Sequence, residues 1–360
     1  MKRIEELRKK IDEIDEKIID LLDQRAYLAK EIGKIKKEIN LPIYSPEREN
    51  FIFKRIEEIT KKNKHMPTNV IKQIYKEIIS YTRGLEKTIK VGFLGPEASY
   101  THQASIENFG SSVEHIPFNI IDEIFKNVYE GKIEYGVVPI ENSYNGVVFR
   151  TMDMLIEFDV SIIGELYLRI KHCLLSKENS IKEIKKVFAH PQTIEQCRIF
   201  INKYLTNATI EETSSNSAAA LKATNTEKSG AIASAIAGQI YNLNILEFGI
   251  EDSVDNTTRF IVIAREPMEV KEIKTKTSII ISVINKPGIL FSILKEFADR
   301  SINLTKIESR PSKKKAWDYI FFIDFEGNTK DKNIKEIIEN LKEKTVFTKI
   351  LGSYPLGGIF

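Results

Sequence analysis

Residues 4–39 place an apolar side chain at nearly every position of a heptad seam. One series is Ile4, Ile11, Ile18, Arg25, Ile32 and Ile39; the other is Leu7, Ile14, Leu21, Leu28 and Ile35. That spacing keeps one face of an α-helix apolar along its whole length and predicts a first helix of nearly 40 residues. Such a seam needs a partner. The helical stretches that follow, 46–61 and 68–87, are too short to cover it alone, so a helical dimer is expected. The one interruption is Arg25. A guanidinium cannot shed its proton, and burying it is costly unless an anion meets it. Either an Asp or Glu of another helix or a bound carboxylate fills that need, and the spacing leaves both open. Lys36 lies about three turns further on nearly the same face, so the two cations can clamp one small dianion. Arg8 sits about 25 Å from Arg25 along the helix, so if both serve one site Arg8 comes from a second protomer.

Charge and composition narrow the field. Residues 1–87 hold 21 Lys+Arg against 16 Asp+Glu, the remainder 33 against 35. A basic excess this small suits small anionic ligands better than a nucleic-acid backbone. No stretch approaches the ~18 apolar residues of a membrane span. The opening MKRIEELRKKIDEIDEK is charged and amphipathic where a signal peptide needs an apolar core. Cys173 and Cys197 form no C-x-x-C pair, and His65, His102, His115, His172 and His190 show no metal-ligand spacing. The expectation is a reduced, cytoplasmic protein with no metal, cofactor, nucleic-acid or membrane partner.

The texture changes twice. After the helical first part, β-branched runs alternate with helical stretches from Ile89, which reads as α/β with a largely parallel sheet. A charged stretch, 266–275, precedes a last unit in the order βαββαβ, the ferredoxin-like arrangement. The expected fold is therefore multidomain: an all-α domain over 1–88, an α/β domain over 89–267 and a small α+β domain over 276–355.

The pattern Leu7-Arg8, Ile14-Asp15, Leu22, Arg25, Leu28-Ala29, Gly33, Lys36, continuing through Pro46-Glu47-Arg48-Glu49 to Thr82-Arg83-Gly84-Leu85-Glu86, resembles the all-helical chorismate mutase family. The resemblance implies an intertwined dimer whose pocket takes Arg25, Lys36, Arg48, Glu49 and Glu86 from one chain and Arg8 from the other, with Ser45 and Thr82 lining it. The implied reaction, chorismate to prephenate, is pericyclic and needs no nucleophile or cofactor. The protein must hold two carboxylates in a compact form and donate hydrogen bonds to the breaking ether bond. Lys36 and Glu86 are the donors the family implies, and Glu86 must be protonated to serve.

In the middle unit, Val91-Gly-Phe-Leu-Gly-Pro-Glu-Ala-Ser-Tyr-Thr-His reads as strand, turn and helix start, with Ser99 or Thr101 as cap. Polar clusters follow at predicted strand ends: Glu141-Asn142-Ser143, His190-Pro191-Gln192 with Gln196, and Asp255-Asn-Thr-Thr258-Arg259-Phe260. Loops at strand ends line the usual α/β ligand crevice. These stretches resemble the prephenate dehydratase domain, which implies a two-lobed, periplasmic-binding-protein-like fold with its site in the cleft. The resemblance carries catalytic importance to Asn142, Gln196 and Thr258, with Ser143 and Arg259 beside them. Arg259 is open to two readings, a carboxylate contact or a structural ion pair. Glu141 is the expected proton source.

In the last unit, Asn285-Lys-Pro287-Gly288-Ile289-Leu290 and Asn303-Leu304 with Glu308-Ser309-Arg310 resemble the ACT regulatory domain. A Pro-Gly turn opening a helix offers backbone N–H groups to an amino acid's carboxylate, and L-phenylalanine is the ligand implied. Together these resemblances imply an enzyme that converts chorismate to prephenate and prephenate to phenylpyruvate, under feedback inhibition by L-phenylalanine. It would act as a homodimer or higher homo-oligomer. Two alternatives are an arogenate dehydratase with a mutase domain and an amino-acid-sensing binding protein that has lost catalysis.

Overall fold

The computed structural model describes residues 1–39, 41, 43–86, 88–253, 255–270, 274–284, 286–311 and 319–358, without the side chain of Glu86. The chain divides into two compact units, residues 1–90 with 109–114 and residues 91–108 with 115–360.

The first unit contains α1 (Lys2–Glu38), α2 (Pro46–Thr60) and α3 (Thr68–Glu86). Ser45 caps α2, its hydroxyl accepting from Arg48 N at 3.4 Å, and Pro46 occupies the first turn, where its missing N–H costs nothing. Within this unit the seam of α1 stays bare: its ten apolar residues are each between 48% and 61% exposed. The face of α1 turned inward is a neighbouring stripe of Arg25, Ala26, Ala29, Gly33 and Lys36, of which Gly33 alone is fully buried. Arg25 thus belongs to the small-residue stripe rather than to the seam. An α-helix repeats at 3.6 residues and drifts against a strict heptad, which separates the two stripes.

The second unit opens with a mixed sheet in the order β2-β1-β3-β11-β5. Its strands are β1 (Lys90–Leu94), β2 (Glu114–Phe118), β3 (Tyr135–Asn142), β5 (Ser161–Arg169) and β11 (Thr257–Ala264), with the short β4 (Gly146–Val147) hairpinned onto β3. Helices α4 (Tyr100–Phe109), α5 (Ile121–Tyr129) and α6 (Phe149–Glu157) connect them. Ser99 caps α4 as expected, accepting from His102 N at 3.2 Å.

The chain then crosses to a second lobe with its own sheet, β10-β6-β9-β7-β8. It comprises β6 (Cys173–Ser176), β7 (Lys186–Ala189), β8 (Thr209–Glu212), β9 (Ser229–Ala233) and β10 (Asn244–Phe248). Helices α7 (Pro191–Gln196), α8 (Arg198–Tyr204), α9 (Asn216–Thr224) and α10 (Ala235–Tyr241) complete this lobe. The chain returns as β11, which runs antiparallel to both β3 and β5. The expectation of a largely parallel sheet is corrected accordingly. β6 also pairs antiparallel with β9 and β10, because each crossing between lobes brings a strand in from the opposite end. Two crossovers, 170–172 and 249–256, lie side by side, with Ile170 N donating to Asn256 O and Gly249 N to His172 O.

The last segment forms a βαββαβ unit: β12 (Thr275–Val283), α11 (Ile289–Ala298), β13 (Leu304–Pro311), β14 (Tyr319–Glu326), α12 (Lys332–Lys344) and β15 (Phe347–Pro355), in sheet order β13-β14-β12-β15. Strand alternation gives this sheet two buried faces. Ile279, Ile281, Ile323 and Phe325 pack under its helices. Ile280, Phe322, Leu351 and Tyr354 share one core with Val138, Ile140, Ile162 and Ile261 of the first lobe. β15 passes so close to β5 that a Cβ on Gly352 would overlap the Ile162 carbonyl, so only glycine fits there.

Candidate active sites

In the first unit three cations gather around the inward stripe of α1. Arg25 Nη1 donates to Thr82 Oγ1 at 3.0 Å, and Thr82 itself donates to the Ile78 carbonyl. Among the described residues no Asp or Glu pairs with Arg25. Burial depresses its pKa, Tyr75 partly offsets that, and the charge of Arg48 depresses it further. Two guanidiniums that repel each other, with no acid between them among the described residues, form a ready site for an anion. Lys36 Nζ donates to the Ile43 carbonyl at 2.9 Å, tying the end of α1 to the chain leading into α2. Arg48 is exposed and lies over the Phe51 ring at 4.9 Å.

Glu49 is ion-paired to Arg83 of α3, whose guanidinium sits over the Tyr44 ring at 5.0 Å. Burial raises the Glu49 pKa and Arg83 works against that. Arg83, quoted in the motif but given no role, is thus the buried partner that fixes Glu49. Ser45 serves as the α2 cap. Arg8 is exposed on α1, apart from this group. Glu86 ends α3, and its side chain lies outside the described residues.

In the second unit the sequence clusters converge through strand pairing. Thr258 of β11 lies opposite Asn142 of β3, and Arg259 opposite Glu141. Successive side chains on a strand point to opposite faces, so the two pairs part company. Asn142 joins the polar chain at the crossovers. Its Oδ1 accepts from Tyr144 N and Asn145 N, both at 3.0 Å, which leaves its amide NH2 to donate. Nδ2 gives one hydrogen bond to Thr258 Oγ1 and another to Asn256 Oδ1, each 2.9 Å. Asn256 Nδ2 in turn donates to Gln196 Oε1 at 3.4 Å. Both ends of this chain finish as donors: among the described residues nothing accepts from the Thr258 hydroxyl, which itself accepts at oxygen, or from the Gln196 NH2. Ser143 clasps the approach to β11, donating to the Asp255 carbonyl and accepting from Thr257 N at 3.0 Å. Asn256, 4% exposed, had no assigned role.

The opposite face belongs to the C-terminal sheet. Of the two readings of Arg259, the geometry is that of a buried ion pair. Its Nε donates to Glu165 at 2.8 Å, Nη1 to Asp324 at 2.6 Å and Nη2 to the Tyr354 hydroxyl at 3.1 Å. Burial works against its charge, and Asp324, Tyr354 and Glu165 more than restore it, raising its pKa. All three of its nitrogens are engaged in this buried network on the face opposite Thr258, which corrects its expected place beside Thr258. Glu141 as proton source is corrected likewise, since its carboxylate lies 2.7 Å from Lys306 Nζ of β13.

The expected phenylalanine residues lie on the α11 start and on β13 of the last unit. Gly288 adopts a left-handed φ of 78° and caps α11, with open space where a side chain would stand. Ile289 is buried and Leu290 partly so; Pro287 is exposed. Asn303 Nδ2 donates to Glu326 at 3.1 Å, and Leu304 packs on the helix-side core. A register shift after Leu304 turns Lys306, Glu308 and Arg310 toward the first lobe, while Ser309 is exposed. Arg310 is paired to Asp153 at 2.6 Å and covers Phe149 at 5.0 Å, so its expected ligand contact is corrected to an interdomain one. Asn285 lies outside the described residues.

Comparison with known proteins follows this division. Family models match at residues 7–87 (chorismate mutase type II), 91–268 (prephenate dehydratase) and 277–343 (ACT domain). A bifunctional chorismate mutase/prephenate dehydratase of Aquifex aeolicus is 47% identical over 357 residues, covering 99% of this chain and 98% of its own. The crystal structure of a prephenate dehydratase from Arthrobacter aurescens in complex with L-Phe is 30% identical, covers 74% of this chain and 90% of its own, and superposes with a TM-score of 0.67. A structure described as a quorum quenching acylase, 25% identical, covers 74% of this chain and 98% of its own with a TM-score of 0.68.

Proposed function

Since this chain belongs to the family of bifunctional chorismate mutase/prephenate dehydratases, we propose that its two units act in sequence, turning chorismate into prephenate and prephenate into phenylpyruvate, under inhibition by L-phenylalanine. Chorismate mutase and prephenate dehydratase activities are those of the family. Arg25, Arg48 and Lys36 hold the substrate's carboxylates and ether oxygen, and Arg8 of the partner subunit closes the pocket. The bare seam of α1 supports that dimer. Ten uncovered apolar residues on one helix face favour association through burial, at about 25 cal/mol per Å². The rearrangement breaks and forms bonds within one molecule, so the protein contributes only compression and charge placement.

The observation that carries the dehydratase reading is the donor-ended chain from Thr258 to Gln196. Prephenate must lose CO2 and its hydroxyl, and the aromatic ring formed drives the step. The Thr258 hydroxyl, polarised by Asn142, donates to the leaving oxygen, and the Gln196 NH2 donates to a substrate oxygen. We expect Thr258→Ala to lower prephenate turnover by about 10²- to 10³-fold and to leave chorismate turnover unchanged. The assay is purified protein with chorismate, following phenylpyruvate absorbance in alkali. Accumulation of prephenate by the variant supports two separate sites. Loss of both activities would refute them, and faster turnover of arogenate than of prephenate would reassign the substrate.

Regulation rests on the last unit. Lys306–Glu141 and Asp324–Arg259 each end one residue from Asn142 and Thr258, so a ligand on the C-terminal sheet acts on the site through adjacent backbone. Truncation after Arg265 is expected to keep both activities and lose phenylalanine inhibition. It should also lower the thermal midpoint, because it uncovers the apolar face beneath Ile280, Phe322, Leu351 and Tyr354. Calorimetry with phenylalanine on the full chain and on the truncated one checks this; inhibition of the truncated protein would place the ligand elsewhere.

A further inference from the structure

The donor-ended chain does not stop at Gln196. Its Oε1 also lies 2.9 Å from Nε2 of His172, a residue 1% exposed in the first crossover. The direction of every link follows from the backbone. Tyr144 N and Asn145 N fix Asn142 Oδ1, Asn142 Nδ2 fixes Asn256 Oδ1, and Asn256 Nδ2 fixes Gln196 Oε1 as an acceptor. Only a donor can face that oxygen, so His172 carries its proton on Nε2. Burial lowers the His172 pKa by more than the Gln196 hydrogen bond and Glu251 restore, which keeps the ring neutral. Nδ1 is then an acceptor. The Tyr100 hydroxyl stands 2.7 Å from Nδ1 and 2.9 Å from the Lys171 carbonyl, so its one proton is shared between two acceptors, one of them the ring nitrogen.

The chain therefore runs from α4 of the first lobe, through both crossovers, to α7 of the second, and back to β3. Gln196 is the link contributed by the second lobe. With its oxygen held by two donors, its NH2 has no partner among the described residues and is presented outward. If His172 ceased to donate, one of the two forces that hold this amide would vanish, and rotation would present an acceptor where the substrate's oxygen needs a donor.

We propose that His172 is a positioning residue for dehydration: oriented by Tyr100, it donates through Nε2 to Gln196 and holds that amide with its NH2 toward an acceptor oxygen of the dianionic substrate. This rests on the dehydratase reading above. The test compares prephenate turnover by the full-length wild type, His172→Leu and His172→Gln, with thermal midpoints measured alongside. Glutamine places an amide N–H near the position of Nε2, whereas leucine fills the space without a donor.

Leucine should lower kcat by about 10- to 100-fold with KM within about twofold, since a misplaced group costs turnover more than binding. Glutamine should recover most of that loss. Wild-type kcat in His172→Leu would overturn the proposal, and so would equal impairment of the two variants, which would mean that ring packing matters and the donor does not. Should His172→Leu fail to fold, Tyr100→Phe removes only the hydroxyl that orients the ring at Nδ1; an unchanged kcat there overturns the proposal and a reduced one supports it. A wild-type protein inert toward prephenate would instead refute the dehydratase reading itself.

Discussion

Replacing Arg259 by leucine is expected to lower the thermal midpoint of the second unit by roughly 10 °C, taking about 3–5 kcal/mol for a broken buried ion pair and 2–4 °C per kcal/mol at this size. The side chains of Arg259 and Glu165 are 5% and 1% exposed, and that of Asp324 10%. Without the guanidinium, Glu165 keeps Lys276 at 2.8 Å, and among the described residues Asp324 keeps only the Ser278 hydroxyl at 2.5 Å. The loss therefore falls mainly on Asp324, a buried carboxylate left without a cation. Adding Asp324→Leu to Arg259→Leu should recover part of the midpoint, because removing both charges is far cheaper than stranding one. Calorimetric unfolding of the two variants is the measurement. A stable Arg259→Leu protein that had lost only prephenate turnover would restore the carboxylate-binding reading.

Arg25→Leu is expected to reduce chorismate turnover by about 10³-fold or more, combining a lost charge-assisted contact with misplacement of the substrate. Its thermal midpoint should hold or rise. Arg25 pairs with no acid among the described residues, Thr82 keeps its bond to the Ile78 carbonyl, and an apolar side chain suits a half-buried position better than a guanidinium does. Prephenate turnover should be unaffected. Co-expression with an Arg8→Ala chain distinguishes a shared pocket from a private one. If Arg8 and Arg25 meet across a dimer, each mixed dimer holds one intact site, and about a quarter of wild-type turnover returns at equal expression. About half of wild-type turnover, supplied by every site that keeps Arg25, would place Arg8 outside the pocket, and no recovery would mean that the two arginines do not complement each other across a dimer. A marked loss of stability in Arg25→Leu with activity retained would make Arg25 a structural residue.

Local pattern made much of this protein legible. A heptad seam dictates a long helix whatever surrounds it, and Ser45-Pro46 or Ser99 before a helical run stops and starts helices through short-range hydrogen bonds. The βαββαβ order of the last unit is likewise written in hydrophobic periodicity. Asn142 and Thr258 stand out because polar residues at strand ends break an apolar pattern, and Gln196 because it closes the polar run that follows β7.

Other features have no local signature. Buried strands read the same whether their neighbours run parallel or antiparallel, so the reversal of β11 between β3 and β5 appears only when both crossovers are in place. Strand alternation alone separates Thr258 from Arg259 and Asn142 from Glu141, yet it does not say which face is the cleft. The C-terminal sheet decides that by burying Arg259 against Asp324 and Tyr354 and drawing Glu141 to Lys306. His172 and Asn256 sit 84 positions apart in the chain, each unremarkable among its neighbours. Their meeting at Gln196 depends on two crossovers lying side by side. Sequence determines what depends on residues a few positions apart; side-chain partners that come from distant strands are decided only where the folded backbone brings them within hydrogen-bonding distance.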